Sequence, residues 1–299
     1  MTNNTATAER LAEIARKKQG MARREKRTNI ILTLVFSLIS LAWIIPIFVV
    51  LMNSFKKKSY ISLEPFALPT EDSYNALENY TYGIEKVDFF KYFGYSVIIT
   101  LGSVFLILLC TSMCAYYIAR AKSVFASIMY YMFVFSMIVP FQMVMFTLSK
   151  TADSLKLNTP WGITIVYLGF GAGLASFMFT NFLKTVPIEI EEAAMIDGCS
   201  PLQTFFRVIV PIMKPTYISV AILEVMWVWN DYLLPYLVLD LKRYKTVPIV
   251  IQYLQGGYGR VEMGAIMACM ILAITPVILI YLVCQKYIVK GVVAGAVKG

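Results

Sequence analysis

The chain has 299 residues, 59% of them apolar and 15% charged, with a formal net charge of +9 and no histidine. Soluble domains run at about 45–50% apolar and about 25% charged, so the composition excludes a soluble globular protein and points to a polytopic membrane protein. The basic excess therefore reads as a topology signal and not a nucleic-acid footprint, and a chain without histidine cannot hold a Ser-His-Asp or Cys-His catalytic set.

Residues 1–29 are polar and basic, with Arg10, Arg16, Lys17, Lys18, Arg23, Arg24, Lys26 and Arg27 directly before the first apolar run at 30–51. About 20 apolar residues cross the hydrocarbon of a bilayer. The first run is full length, which separates it from a cleavable signal peptide, and the basic residues before it place the N-terminus in the cytoplasm. Residues 52–91 hold Pro65, Pro69 and mixed charge and read as an extracytoplasmic segment, although Lys56, Lys57 and Lys58 run against the positive-inside trend. Further spans are predicted at 92–118, 124–148, 161–183, 217–239 and 263–287, followed by a cytoplasmic tail at 289–299. The fold expected is all-α, with six transmembrane helices and both termini cytoplasmic. On this map 16 of the 27 Lys and Arg lie inside. Pro140 predicts a kink in the third span. Gly169, Gly171, Gly173, Ala175 and Ser176 give the fourth a small-residue patch that lets another helix come close. Cys110 and Cys114 share a helix face but read as packing residues, so no metal site is expected.

The most informative polar stretch lies between the fourth and fifth spans, at 187–215. Pro187 suits a first helical turn, and Glu189, Glu191 and Glu192 crowd an N-terminal end that favours negative charge. Gly198 stands where a left-handed residue ends a helix, Ser200 reads as an N-cap, and Pro201 as the first residue of a second helix. Leu202, Phe205, Phe206 and Ile209 then form an apolar stripe at helical spacing, closed by Pro211 and Pro215. A helix–Gly–helix hairpin between two spans is suited to touching another protein.

No catalytic constellation stands out, and there is no Gly-x-x-x-x-Gly-Lys loop, so this chain is not expected to hydrolyse ATP. Uphill transport would draw on an ion gradient or a partner. Polar groups at membrane depth are costly and therefore candidate functional positions. They are Glu224, Asn230 and Asp231 beside Trp227 in the fifth span, and Gln142 after Pro140. Aromatic faces beside amide and carboxylate groups suit polyhydroxylated ligands. The other reading, in which Asn230 and Asp231 cap or kink a helix near its outer end, stays open.

Glu192-Ala193-Ala194, three residues, Gly198, nine residues and Val208-Ile209-Val210-Pro211 resemble the EAA loop of bacterial ABC-importer permeases, with Val208 and Val210 in place of the usual Ile and Leu. With the Trp229-Asn230-Asp231 triplet and the tail YIVKGVVAGAVKG, the chain is similar to the carbohydrate-uptake branch of that family, in particular its six-span, maltose G-type partner. The resemblance implies a type I importer transmembrane domain in a bacterial plasma membrane. It also implies a second homologous permease, two copies of a cytoplasmic ATPase subunit that hold ATP and Mg, an extracytoplasmic solute-binding protein, and no cofactor on this chain. Glu191, Glu192, Ala193, Ala194, Asp197, Gly198, Arg207 and Pro211 would couple to the ATPase. Gln255, Gly256 and Gly257, in the outer loop at 240–262, would meet the binding protein. Importers of other solutes, such as glycerol phosphate or peptides, and a stand-alone six-span carrier or channel are the alternatives.

Overall fold

The computed structural model describes the backbone of residues 2–255 and 261–296 and the side chains of 25–255 and 261–285. Among them every regular element is helical. α1 (Thr2–Asn53) carries the first span; at the far end come two short helices, α2 (Lys58–Leu63) and α3 (Ala76–Lys86). α4 (Phe89–Arg120) returns through the bundle, followed by α5 (Val124–Ile138), α6 (Phe141–Ser154) and α7 (Gly162–Leu183). The hairpin consists of α8 (Glu189–Ile196), α9 (Pro201–Thr204), a π-helical turn (Phe205–Ile209) and α10 (Val210–Ile212). α11 (Lys214–Asn230), α12 (Leu233–Val238), α13 (Val247–Tyr253) and α14 (Met263–Ala296) complete the chain. Among the described residues four helices are long and apolar enough to cross a membrane, and two sharply bent pairs raise the number to as many as six.

α7 is the central helix, packed along α4 and against α5 and α11. Its small residues explain this. Gly171, Ala172, Gly173, Ala175 and Ser176 are buried, whereas Gly169 is exposed. A Cβ on Gly171 would stand 2.5 Å from Ile107 Cδ1 of α4 and 2.9 Å from Glu224 Oε2 of α11, so three helices meet there only because the side chain is missing. α1 lies at the other extreme: its most apolar stretch is wholly exposed within the chain, and its main packing among the long helices is on α14. Its large side chains, from Ile30 to Phe48, are suited to lipid.

Two predicted spans differ from expectation. The third is not a kinked helix but two helices bent by 105°, α5 and α6. Val139 is extended (φ −70°, ψ 116°) because a residue before proline avoids the helical region, and Pro140 is extended in turn (φ −63°, ψ 134°), so two consecutive residues leave the helix. The fifth span stops at Asn230; Asp231 is extended (ψ 125°) and its carboxylate starts α12. The second hairpin helix meets α11 at 77° about Met213.

The lysine run that opposed the charge rule also has a structural account. Lys56 is 1% exposed and its Nζ donates to the Glu64 carbonyl at 2.9 Å, while Lys57 Nζ donates to the Asp72 carbonyl at 2.7 Å. Asn79 Nδ2 donates to the carbonyls of Ser54 and Lys56, each at 2.9 Å, and so pins α3 to the end of α1. Lys56 is thus spent inside a folded cap, and Lys57, though exposed, is tied to that cap's backbone.

Candidate functional site

The hairpin has an inner and an outer face. α8 ends in a complete Schellman arrangement: Cys199 N–H donates to the Ala194 carbonyl and Gly198 N–H to the Met195 carbonyl, each at 3.0 Å. Gly198 takes φ +90°, a conformation that side chains with a Cβ rarely adopt. The next helix opens with a full capping box. Ser200 Oγ accepts from Gln203 N–H at 3.3 Å, and Ser200 N–H donates to Gln203 Oε1 at 2.9 Å. Both turns follow the sequence signals at Gly198, Ser200 and Pro201.

The glutamates do not act as one set. Glu189 and Glu192 are exposed, but Glu191 is 2% exposed and points into the bundle. Its Oε2 accepts from Tyr116 Oη at 2.8 Å; its Oε1 accepts from Arg120 Nε at 2.7 Å and lies 2.6 Å from Nη2. Arg120 Nη2 also donates to the Val186 carbonyl at 3.0 Å. Neighbouring helical residues point about 100° apart, and here Glu191 turns inward while Glu192 stays exposed. Glu191 therefore belongs to the anchor of the hairpin and not to an outward coupling surface. Ala194, three residues on, is half-buried on the same side. The end of α4 thus holds the hairpin through a buried ion pair and two further hydrogen bonds, backed by Tyr116 against Phe205 at 5.3 Å.

The expected apolar stripe divides in the same way. Phe205 and Ile209 are buried in a cluster with Phe179, Leu183 and Met213. Leu202 is 61% and Phe206 48% exposed. The π-helical turn, in which Val210 N–H bonds the Phe205 carbonyl, shifts the helical phase just before Pro211, which has no N–H to offer. The outward face carries Glu192, Ala193, Asp197, Gly198, Arg207 and Pro211, with Met195, Ile196, Leu202 and Phe206 around them.

A second set of residues lies within the bundle. Glu224 is 2% exposed and its Oε2 has no hydrogen-bond partner among the described residues. It lines a pocket of about 250 Å³ with Met137, Phe170, Gly171, Leu174, Leu223 and Trp227. Gln142, Asn230 and Asp231 are not part of it. Gln142 is exposed in the first turn of α6. Asn230 Nδ2 donates to the Met226 carbonyl at 2.7 Å. Asp231 Oδ1 accepts from the N–H groups of Leu233 at 2.9 Å and Leu234 at 3.3 Å, and its Oδ2 from Tyr167 Oη at 3.0 Å. Asp231 is a cap, as the second sequence reading had it. Asp231→Ala is expected to cost about 1 kcal/mol, seen as a lower Tm of the detergent-solubilised chain, while Asp231→Asn keeps most of the cap.

Gln255 is exposed just past α13, and Gly256 and Gly257 lie outside the described residues. From the sequence, Gly171 has a packing role but no place at a pocket, and Tyr116 and Arg120 have no site role. Tyr116 and Arg120 carried a usable signal: a hydroxyl and a cation at i and i+4 at the end of a span share one helix face.

A helical membrane bundle with an outward-facing helix–Gly–helix hairpin clamped to its core is the architecture of a transporter's membrane subunit. Residues 107–294 match the model of the binding-protein-dependent transport system inner membrane component, and the chain belongs to that family. It is 36% identical, over 90% of its length and 96% of the relative's, to the probable starch degradation products transport system permease AmyC of Thermoanaerobacterium thermosulfurigenes. It is 33% identical, over 85% and 92%, to the multiple sugar-binding transport system permease MsmG of Streptococcus mutans. The arabinooligosaccharides permease AraQ of Bacillus subtilis is 31% identical over 91% of this chain and 96% of its own. The fold matches a chain from the crystal structure of a bacterial ABC transporter involved in importing the acidic polysaccharide alginate, with a TM-score of 0.68 at 22% identity, over 89% of this chain and 98% of that one. The chain is therefore a membrane-embedded permease subunit of a multicomponent transport system.

Proposed function

We propose that this chain is one of two permeases in an ATP-driven oligosaccharide importer of a bacterial plasma membrane, working by alternating access. The second permease is a homologous chain. Two cytoplasmic ATPase subunits hold ATP and Mg, and an extracytoplasmic binding protein delivers the solute. The observation that carries this reading is the two-faced hairpin. A buried clamp fixes its inner side to α4, while Glu192, Asp197 and Arg207 stand outside among exposed apolar residues. Such a surface can receive force from a partner and pass it to the core without bending in between. The named substrates of the relatives support a sugar as the solute.

The test is uptake by proteoliposomes containing the whole complex, with ATP inside and a panel of labelled maltotriose, raffinose, arabinotriose, diacetylchitobiose, glycerol 3-phosphate and a tripeptide outside. Import of at least one of the sugars, dependent on ATP and binding protein, is expected. Import confined to the tripeptide or glycerol 3-phosphate would refute the sugar assignment. Uptake by this chain alone would instead identify a stand-alone carrier.

A further inference from the structure

We infer that the Glu224 pocket is a carbohydrate subsite in this permease, in which the carboxyl accepts hydroxyls from one sugar ring lying against Trp227. The inference rests on the reading of the chain as a sugar-importer subunit and assigns a place of contact within it.

A carboxyl at membrane depth is held against a large desolvation penalty, and the usual compensation is a cation or a set of donors. Glu224 has neither: among the described residues no lysine or arginine pairs with it, and its Oε2 has no hydrogen-bond partner. The missing partner is one that comes and goes. Lipid tails offer no donor. A metal ion wants several oxygen ligands, and among the described residues no group of three acidic or thiol side chains comes together. Sugar hydroxyls are neutral donors that a single carboxyl can accept, and the rest of the wall suits the ring's apolar face.

That wall is arranged in advance. Trp227 is 40% exposed, so part of its indole is free, and Tyr167 meets it edge-on with centroids 5.4 Å apart. Tyr167 is itself fully buried and donates to Asp231 at 3.0 Å. The cap of α12 therefore orients the tyrosine that orients the indole, which gives Asp231 a positioning role without entry into the pocket. Gly171 leaves the space in which Glu224 Oε2 sits. A volume of about 250 Å³ falls below the ~300 Å³ at which ordinary small-molecule sites begin, so it takes one ring and not a whole oligosaccharide.

The experiment uses the same proteoliposomes and the same sugar panel, with import normalised to ATP hydrolysed in the same vesicles. Glu224→Leu and Trp227→Leu are each expected to lower sugar imported per ATP by about tenfold or more, the loss of a hydrogen bond to a charged group or of a stacking surface. Trp227→Phe should retain most of it. Glu224→Gln, which keeps an acceptor, should change the ratio of maltotriose to raffinose import rather than abolish both. Unchanged import per ATP in Glu224→Leu overturns the subsite. So does failure of that variant to co-purify with the second permease, since the carboxyl would then serve the subunit interface. If the wild-type complex imports none of the sugars, the functional reading itself fails and the subsite with it.

Discussion

Replacing Glu191 with alanine is expected to stop ATP-driven import while the chain still inserts in the membrane. The change removes the acceptor of two Arg120 nitrogens and of the Tyr116 hydroxyl, and leaves the guanidinium with the Val186 carbonyl alone. Breaking a buried ion pair from one side costs about 3–5 kcal/mol, because the abandoned charge remains desolvated. A loss of that size shifts a docked–undocked equilibrium by a hundredfold or more. Arg120→Ala abandons the more deeply buried partner, leaving Glu191 with the Tyr116 hydroxyl alone and the Val186 carbonyl without its donor, and should be at least as severe, whereas Arg120→Lys should restore part of the link without its forked geometry. Two measurements check this: uptake by the reconstituted complex, and maleimide labelling of Cys199, which is half-buried at the hairpin turn. Faster labelling together with lost import is the expected result for Glu191→Ala. Wild-type rates of both would mean that the clamp carries no force.

The order of the helices and the turns of the hairpin were legible because each rests on a local signal: the length of an apolar run, a glycine at φ +90°, a Ser-x-x-Gln box. What was not legible depends on partners distant in sequence. Pro140 announces that a helix can be interrupted. The 105° bend is fixed only when α6 is held to α12, as where Ser149 Oγ donates to the Leu237 carbonyl, 88 residues on. Glu191 and Glu192 look alike beside the EAA stretch. Which one turns inward is decided by Arg120, 71 residues earlier. Glu224 and Trp227 were legible as costly or aromatic residues at depth. That they share a pocket follows from Gly171 on another helix, while Asn230 is tied to the Met226 carbonyl and Asp231 to the start of α12. The charge rule misjudged Lys56 because counting cannot see a lysine folded into a cap.

The outer face of the hairpin separates coupling from folding more cleanly than its anchor does. Glu192 is exposed, and its side chain makes no ion pair or hydrogen bond among the described residues, so Glu192→Lys should cost only the helix-terminus contribution of about 0.3–1 kcal/mol, seen as a small fall in Tm. Import is nevertheless expected to fall at least tenfold, because on the proposed docking the reversed charge would repel a basic group of the ATPase. Gly198 distinguishes two reasons for needing a glycine. A Cβ there would touch nothing within 4 Å, so the cost of substitution within this chain is the φ +90° backbone alone, of order 1–3 kcal/mol. Asn tolerates left-handed backbone better than Val, so Gly198→Asn should import better than Gly198→Val if the turn is what matters. If a partner surface presses against Gly198 itself, any side chain blocks it and the two variants fail alike. Comparing import by these two variants, with ATPase activity of the same complexes as the reference, decides between a turn that shapes the hairpin and a seat for the ATPase. Glu192→Lys importing at the wild-type rate would remove the outer face from the coupling path altogether.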